Sequence, residues 1–142
     1  MSKGDIFEND LLKLLFNATP IAGLADNAGT SPVTNLYVSL HTADPGEAGT
    51  QSTSEANYTG YARVAVARTS AGWTVTNNSV SPVNDIDFPA ATAGTNTVTH
   101  MGIGTAATGA GKLLYKGALT PSISVSNGVT PRVNRTSTVT ED

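Results

Sequence analysis

His41 and His100 are the two histidines of this 142-residue chain. With Asp44, Asp85 or Asp87 they are the residues from which a base and its orienting carboxylate, or a metal site, would have to be built. The spacing supports neither. No His-Glu-x-x-His run, no cysteine and no serine in a Gly-x-Ser-x-Gly turn accompanies them. Each histidine falls on or beside an alternating segment, where satisfying a loop carbonyl or facing solvent is the ordinary role of an imidazole. Asp44-Pro45-Gly46 is a turn, with proline presetting φ and glycine accepting a conformation other residues resist. Asp44 and Glu47 could together hold Ca²⁺, but the turn role explains them. The segment from Gly102 to Lys112 superficially resembles a phosphate loop. It fails because Lys112 precedes Leu113 rather than Ser or Thr, and because no helical pattern follows. It reads as a flexible interstrand loop. The expectation is no catalytic, cofactor-binding or metal-binding residue, and no cofactor.

Arginines stand out in a chain with few charges. Arg63 and Arg68 flank one valine-rich segment, and Arg132 and Arg135 flank another. A guanidinium fork pairs bidentately with carboxylates and suits an interface anchor, although solvated strand ends account for these positions as well. Tyr58 and Tyr61 bracket Thr59-Gly60 and fit either loop anchoring or contact with a partner.

These residues need elements to hold them. Residues 5–17 carry the helical pattern, with Phe7, Leu11, Leu14 and Leu15 at spacings of three and four and Glu8 and Asp10 off that stripe. Asp5 is placed to cap the first turn, Glu8 completes a capping-box spacing, and Thr19-Pro20 closes the helix. A helix this short is marginal alone, so its stripe must dock on the sheet or on another subunit. Residues 21–35 have turn chemistry and no period. Beyond them the chain reads as β throughout. Leu36, Val38 and Leu40 alternate with Tyr37, Ser39 and His41, and Val64 and Val66 with Ala65 and Ala67. Trp73–Thr76, Asp85–Phe88, Thr97–Ile103 and Lys112–Lys116 follow as strands, with Pro89 ending the second of these. Asn127-Gly128 is a two-residue hairpin signal that predicts antiparallel pairing of Val125 with the segment from Val129. Residues 132–140 complete the set.

Seven or eight short strands with no helices between them exclude a parallel βαβ architecture. The predicted fold is all-β: an antiparallel β-sandwich, jelly-roll-like, with a short N-terminal α-helix, the long loop 42–57 favouring crossing connections over a simple meander. The length suits a single domain over 1–142, with the helix at 5–17 and the sandwich at 34–140. Charged residues make up 13% of the chain against a norm of about a quarter, and the formal net charge is −3 with no basic run. Direct nucleic-acid binding is not expected. The stretch from Leu11 to Phe16 is too short to cross a bilayer and follows acidic residues, the wrong flank for a secretory signal, so no membrane association is expected either. The lack of cysteine excludes disulfides and thiolate metal sites.

Several runs carry a resemblance: Asn35 to Gly46, Tyr58 to Arg68, Gly72-Trp-Thr-Val75, Phe88-Pro89, Thr99 to Thr105 and Leu119 to Arg132. Together they are similar to a family of small tailed-phage virion proteins, often labelled tail-fibre-like, some of which resemble the jelly-roll cement proteins that decorate the capsids of short-tailed phages. The similarity spans roughly residues 5 to 142. It implies a structural, non-enzymatic virion protein. The expected role is a capsid cement or decoration protein that stabilises contacts between major capsid protein subunits, self-associates as a homodimer and lies on the capsid exterior after a cytoplasmic stage in the host. The alternative is a tail or tail-fibre component. Contacts are expected through the N-terminal helix, loop 42–57 or an exposed strand edge.

Overall fold

A helix, α1 (Asp5–Asn17), forms where the three-four apolar spacing predicts it. The computed structural model describes residues 3–21, 25 and 32–141. Their contacts fall into two units, each assembled from separated stretches of chain: Met1–Asn35, Val66–Asp85 and Asn134–Asp142 form the first, and Leu36–Ala65 and Ile86–Val133 the second.

In the first unit α1 packs against the hairpin of β3 (Trp73–Thr76) and β4 (Ser79–Pro82), and β4 also pairs with β9 (Val139–Thr140). The Phe16 and Trp73 rings meet edge to face with centroids 4.9 Å apart, and Leu12 and Val80 are buried in the same unit. This aromatic contact sets the rotation of the helix. Its buried face is Glu8, Leu12 and Phe16, one residue every four, rather than the expected Phe7, Leu11, Leu14 and Leu15. Phe7 is exposed and the three leucines are half-buried. The capping expectation also fails. Gly4 is the N-cap, with extended φ −82° and ψ 144°, so Asp5 already lies inside the helix and no side chain caps it. Asp5 and Glu8 still stand in the first turn, where the helix dipole favours negative charge. At the other end Ala18, at φ 53°, closes the helix, and its N–H and that of Thr19 both donate to the Lys13 carbonyl.

Sequence reading missed β4. Asn77, at φ 53°, and Asn78 form the two-residue turn between β3 and β4, with Val75 opposite Val80 and Trp73 opposite Pro82.

The second unit holds most of a sheet with the order β2-β1-β6-β7, formed by β1 (Asn35–His41), β2 (Val64–Ala67), β6 (Asn96–Gly104) and β7 (Leu113–Val125). A ribbon of β5 (Ile86–Asp87) and β8 (Arg132–Val133) lies in the same unit. Leu36, Val38, Leu40, Val98, Ile103, Ile86, Phe88 and Val133 supply buried apolar surface. β1 runs antiparallel to β6 with Tyr37 opposite Gly104 and His41 opposite His100. Both faces of β1 are covered, since Ser39 and His41 are as buried as Leu40.

Two expectations about the C-terminal third are corrected. The segments Lys112–Lys116 and Ser122–Val125 belong to one strand, β7, whose register against β6 jumps between Val98 opposite Ile123 and His100 opposite Ala118. Pro121 falls in that irregularity, where its missing N–H breaks no ladder bond. The Asn127-Gly128 turn exists, with Gly128 at φ 86° and Val129 N–H donating to the Ser126 carbonyl, but it makes no hairpin. Asn127 does not adopt the positive φ that a type I′ turn requires. The chain instead turns away, and Val129, Pro131 and Val133 pair with Ala91, Phe88 and Ile86. The segment 132–140 is accordingly two short strands, β8 and β9, and not one.

Every pairing with a defined register is antiparallel, so the protein is all-β with one short N-terminal helix, as a β-sandwich requires.

Candidate functional site

The loop that leaves β1 turns back at once, and its polar side chains enter the body of the second unit. Thr42 N–H donates to the Ser54 carbonyl and Ala56 N–H to the Leu40 carbonyl, so the far end of the loop extends the edge of β1. Gln51 is fully buried: its Nε2 donates to the Tyr37 carbonyl at 3.2 Å and its Oε1 accepts from Ala106 N–H at 3.0 Å. Its own N–H donates to the Gly111 carbonyl at 3.0 Å. Gly104 and Gly111 lie so close to this amide that a Cβ on either would fall inside it. Gly104 and Gly111 therefore make room for this side chain.

Arg63 is the second brace. Its side chain is 2% exposed, and its fork takes the Glu55 carboxylate through Nε to Oε1 at 2.7 Å and Nη2 to Oε2 at 2.8 Å. Two further N–H groups donate to the carbonyls of Ala106 at 2.9 Å and Gly109 at 2.7 Å. The bonds to Glu55 raise the guanidinium pKa further. Tyr61 joins the cluster by donating to Glu55 Oε1 at 2.8 Å and accepting from Leu40 N–H at 3.1 Å, and burial pushes its phenol well above the ordinary value. It stacks on Phe88 and meets Tyr58 edge to face, while the Tyr58 hydroxyl donates to the Pro89 carbonyl. Both tyrosines anchor loops. The expected flexible loop is thus tied at three carbonyls, those of Ala106, Gly109 and Gly111. Inward-pointing carbonyls are the reverse of the N–H cradle that a phosphate needs.

The histidines are brought opposite one another on β1 and β6, but none of the aspartates considered beside them bonds either ring. His41 is fully buried, with Nδ1 2.8 Å from the Thr53 carbonyl and Nε2 2.9 Å from Ser39 Oγ. A carbonyl can only accept, so Nδ1 carries the proton and Nε2 accepts from Ser39. Burial pushes the His41 pKa down, which keeps this neutral tautomer. A serine hydroxyl on an imidazole has the atoms of a nucleophile and its base. Here both are enclosed, and the group orienting the base is a backbone carbonyl. His100 Nδ1 lies 2.9 Å from Thr99 Oγ1.

The carboxylates have other partners. Asp44 accepts from Gly46 N–H and pairs with Lys116, which also reaches Glu47, and these bonds hold the Asp44 carboxyl below the usual range. Asp87 forms an exposed cross-strand pair with Arg132, and Asp85 accepts from Arg135 N–H. No group of three or more His, Asp or Glu side chains suited to a metal occurs among the described residues.

In the first unit Arg68 serves α1. It donates from Nε to the Leu15 carbonyl at 2.6 Å, from Nη2 to Leu14 at 2.5 Å and from Nη1 to Val33 at 3.2 Å. The last turn of α1 contains no basic residue, and Arg68 supplies the missing positive charge from outside. Beside the same helix a groove of about 880 Å³ opens between its first two turns and the β3–β4 turn, with Glu8 in its wall.

Sequence reasoning named Arg63, Arg68 and the tyrosines but not their partners Glu55 and Leu14, and it did not name Gln51. It also missed Glu8, set aside as lying off the apolar stripe. The available signal was its spacing of four and eight from Leu12 and Phe16.

No curated protein matches the chain. The family model described as podophage GP4 fiber I protein gp80 matches residues 3–140, and the chain belongs to that family of tailed-phage virion structural proteins.

Proposed function

We propose that this protein is a non-catalytic structural part of the fibre apparatus of a podophage, acting by binding a neighbouring virion protein. The observation that carries this reading is the family match across residues 3–140. The geometry supports it. His41, which sequence reading weighed for chemistry, and Arg63 and the tyrosines, which it weighed as partner contacts, are used to brace loops, and a braced surface loses little entropy on docking. Among the described residues no helix is long and apolar enough to cross a membrane.

Capsid cement between major capsid protein subunits is the second reading. It is favoured by the lack of any heptad or extended repeat in the sequence, since a fibre shaft would show one. In either position a homodimer is the proposed oligomer, because β7 is the outer strand of its sheet and offers an edge for strand addition. Cryo-electron microscopy of particles carrying a tagged copy tests the assignment. Density at the fibres is expected, density spread over the shell would favour cement, and a tag absent from purified particles would overturn both. Sedimentation of the free protein tests the dimer.

A further inference from the structure

Glu8 occupies a place that an aliphatic residue would ordinarily fill. It continues the buried face of Leu12 and Phe16 by one turn toward the helix N-terminus, and it is only 6% exposed. A carboxylate on a buried helix face needs a partner or an outlet to solvent, and neither Glu8 oxygen is among the buried atoms left without a partner, so its oxygens keep such an outlet. Among the described residues its side chain has neither an ion pair nor a hydrogen bond. Its carboxylate faces the groove, whose walls are Asp5, Ile6 and Asn9 of the helix and Val75 and Asn77 of the hairpin turn.

We propose that this groove binds an arginine side chain presented by a segment of a partner polypeptide, with Glu8 as the acceptor. The inference rests on the reading that the protein assembles with another virion protein, and it supplies the chemistry of that contact.

Charge complementarity selects the side chain. Two carboxylates, Asp5 and Glu8, line the groove against one amine, Lys13, and no ion pair joins that amine to either. Residues three apart on a helix share a side, so Asp5 and Glu8 are placed to be bridged by one planar fork. A guanidinium is more weakly hydrated than an ammonium and loses less on entering a half-enclosed site. Ile6, 80% exposed, and Val75 offer apolar surface for its methylene stem.

The size of the groove selects a polypeptide over a small ion. At about 880 Å³ it has the volume of a site for a ligand of many atoms. A metal ion would need further ligands, and the described residues provide no cluster of three.

The test uses the full chain, labelled with ¹⁵N and titrated with acetyl-Ala-Arg-Ala-amide, with the citrulline peptide as an uncharged control of the same shape. Saturable shifts confined to the amides around Ile6, Asn9, Val75 and Asn77 are expected with the arginine peptide. Glu8→Gln should weaken that binding about tenfold or more, the loss expected for one charged hydrogen bond. Asp5→Asn, in the exposed first turn, gives a second variant should the buried substitution disturb folding, and it should weaken binding by a smaller factor. Shifts scattered over the surface, equal binding of the citrulline peptide, or unchanged binding in both variants would overturn the proposal. Incorporation of Glu8→Gln into particles separates the two readings. Particles that take up this variant as well as wild type overturn the groove contact and leave the virion assignment standing. Peptide binding in the groove by a protein never found on particles does the opposite.

Discussion

Arg63 and Glu55 form a two-bond fork whose side chains are 2% and 18% exposed, while the same fork between Arg132 and Asp87 is 56% and 48% exposed. Identical chemistry in different surroundings should carry different weight. Removing one member of a buried pair leaves the other uncompensated, and solvent replaces a lost partner at the surface. Arg63→Met is therefore expected to destabilise the protein by about 3 kcal/mol, and Arg63→Lys by less, because the ammonium keeps the charge but cannot span both oxygens and two carbonyls. Arg132→Met should leave the urea midpoint within error. Equal midpoints for the two methionine variants would refute the assignment of Arg63 as a brace.

The His41 environment predicts an acid-sensitive stability. Its folded pKa lies below the ordinary 6.5, and burial is the main cause. Above about pH 6.5 the ring is neutral in both states and its contribution is fully present. As the pH falls below that value the unfolded chain takes up a proton before the folded one does, so stability declines until the folded pKa is passed. Urea midpoints measured from pH 7.5 to pH 5 should fall for the wild type. The fall should be shallower in His41→Asn, which has no group titrating there, and an unchanged slope in this variant would assign the effect elsewhere.

Ala18 closes α1 at φ 53°, in the left-handed region. A side chain there costs roughly 1–2 kcal/mol relative to glycine, part of which glycine returns through the freedom of the unfolded chain. Ala18→Gly is expected to raise stability by about 1 kcal/mol, read as a higher melting temperature. A lower one would mean that the helix does not end at this residue.

The elements were legible in the sequence wherever one local signal acted alone. The helix follows from its apolar spacing, and β1 from the alternation of Leu36, Val38 and Leu40. The rotation of the helix was not legible, because it depends on Phe16 finding Trp73 more than fifty residues away. The same limit hid the site. Gln51 sits in a polar loop, and only the approach of Gly104 and Gly111 reveals that its amide is buried. Asn127-Gly128 shows the opposite failure. Its local chemistry does make a turn, but the pairing is decided by the competition between neighbouring strands, and β5 takes the segment that a hairpin would have given to β7.

Gly111 tests whether the Gln51 contact is as close as the geometry requires. A Cβ at this position would meet the Gln51 Oε1 and the Ala106 side chain, and neither can retreat without breaking the bond from Ala106 N–H to Oε1. Gly111→Ala is therefore expected to cost about 1–3 kcal/mol, the usual penalty for overfilling a packed interior. The same substitution at Gly109, at φ 74° with open space around it, strains only the backbone and leaves the Gln51 bonds intact. A Gln51→Ala background separates the two sources of cost. It removes the obstructing amide but not the Ala106 side chain, so Gly111→Ala should lose part of its penalty there, while Gly109→Ala should cost the same in both backgrounds. Denaturant titration of the two double-mutant cycles measures this coupling, and additive behaviour between Gly111 and Gln51 would show that the loop can move aside.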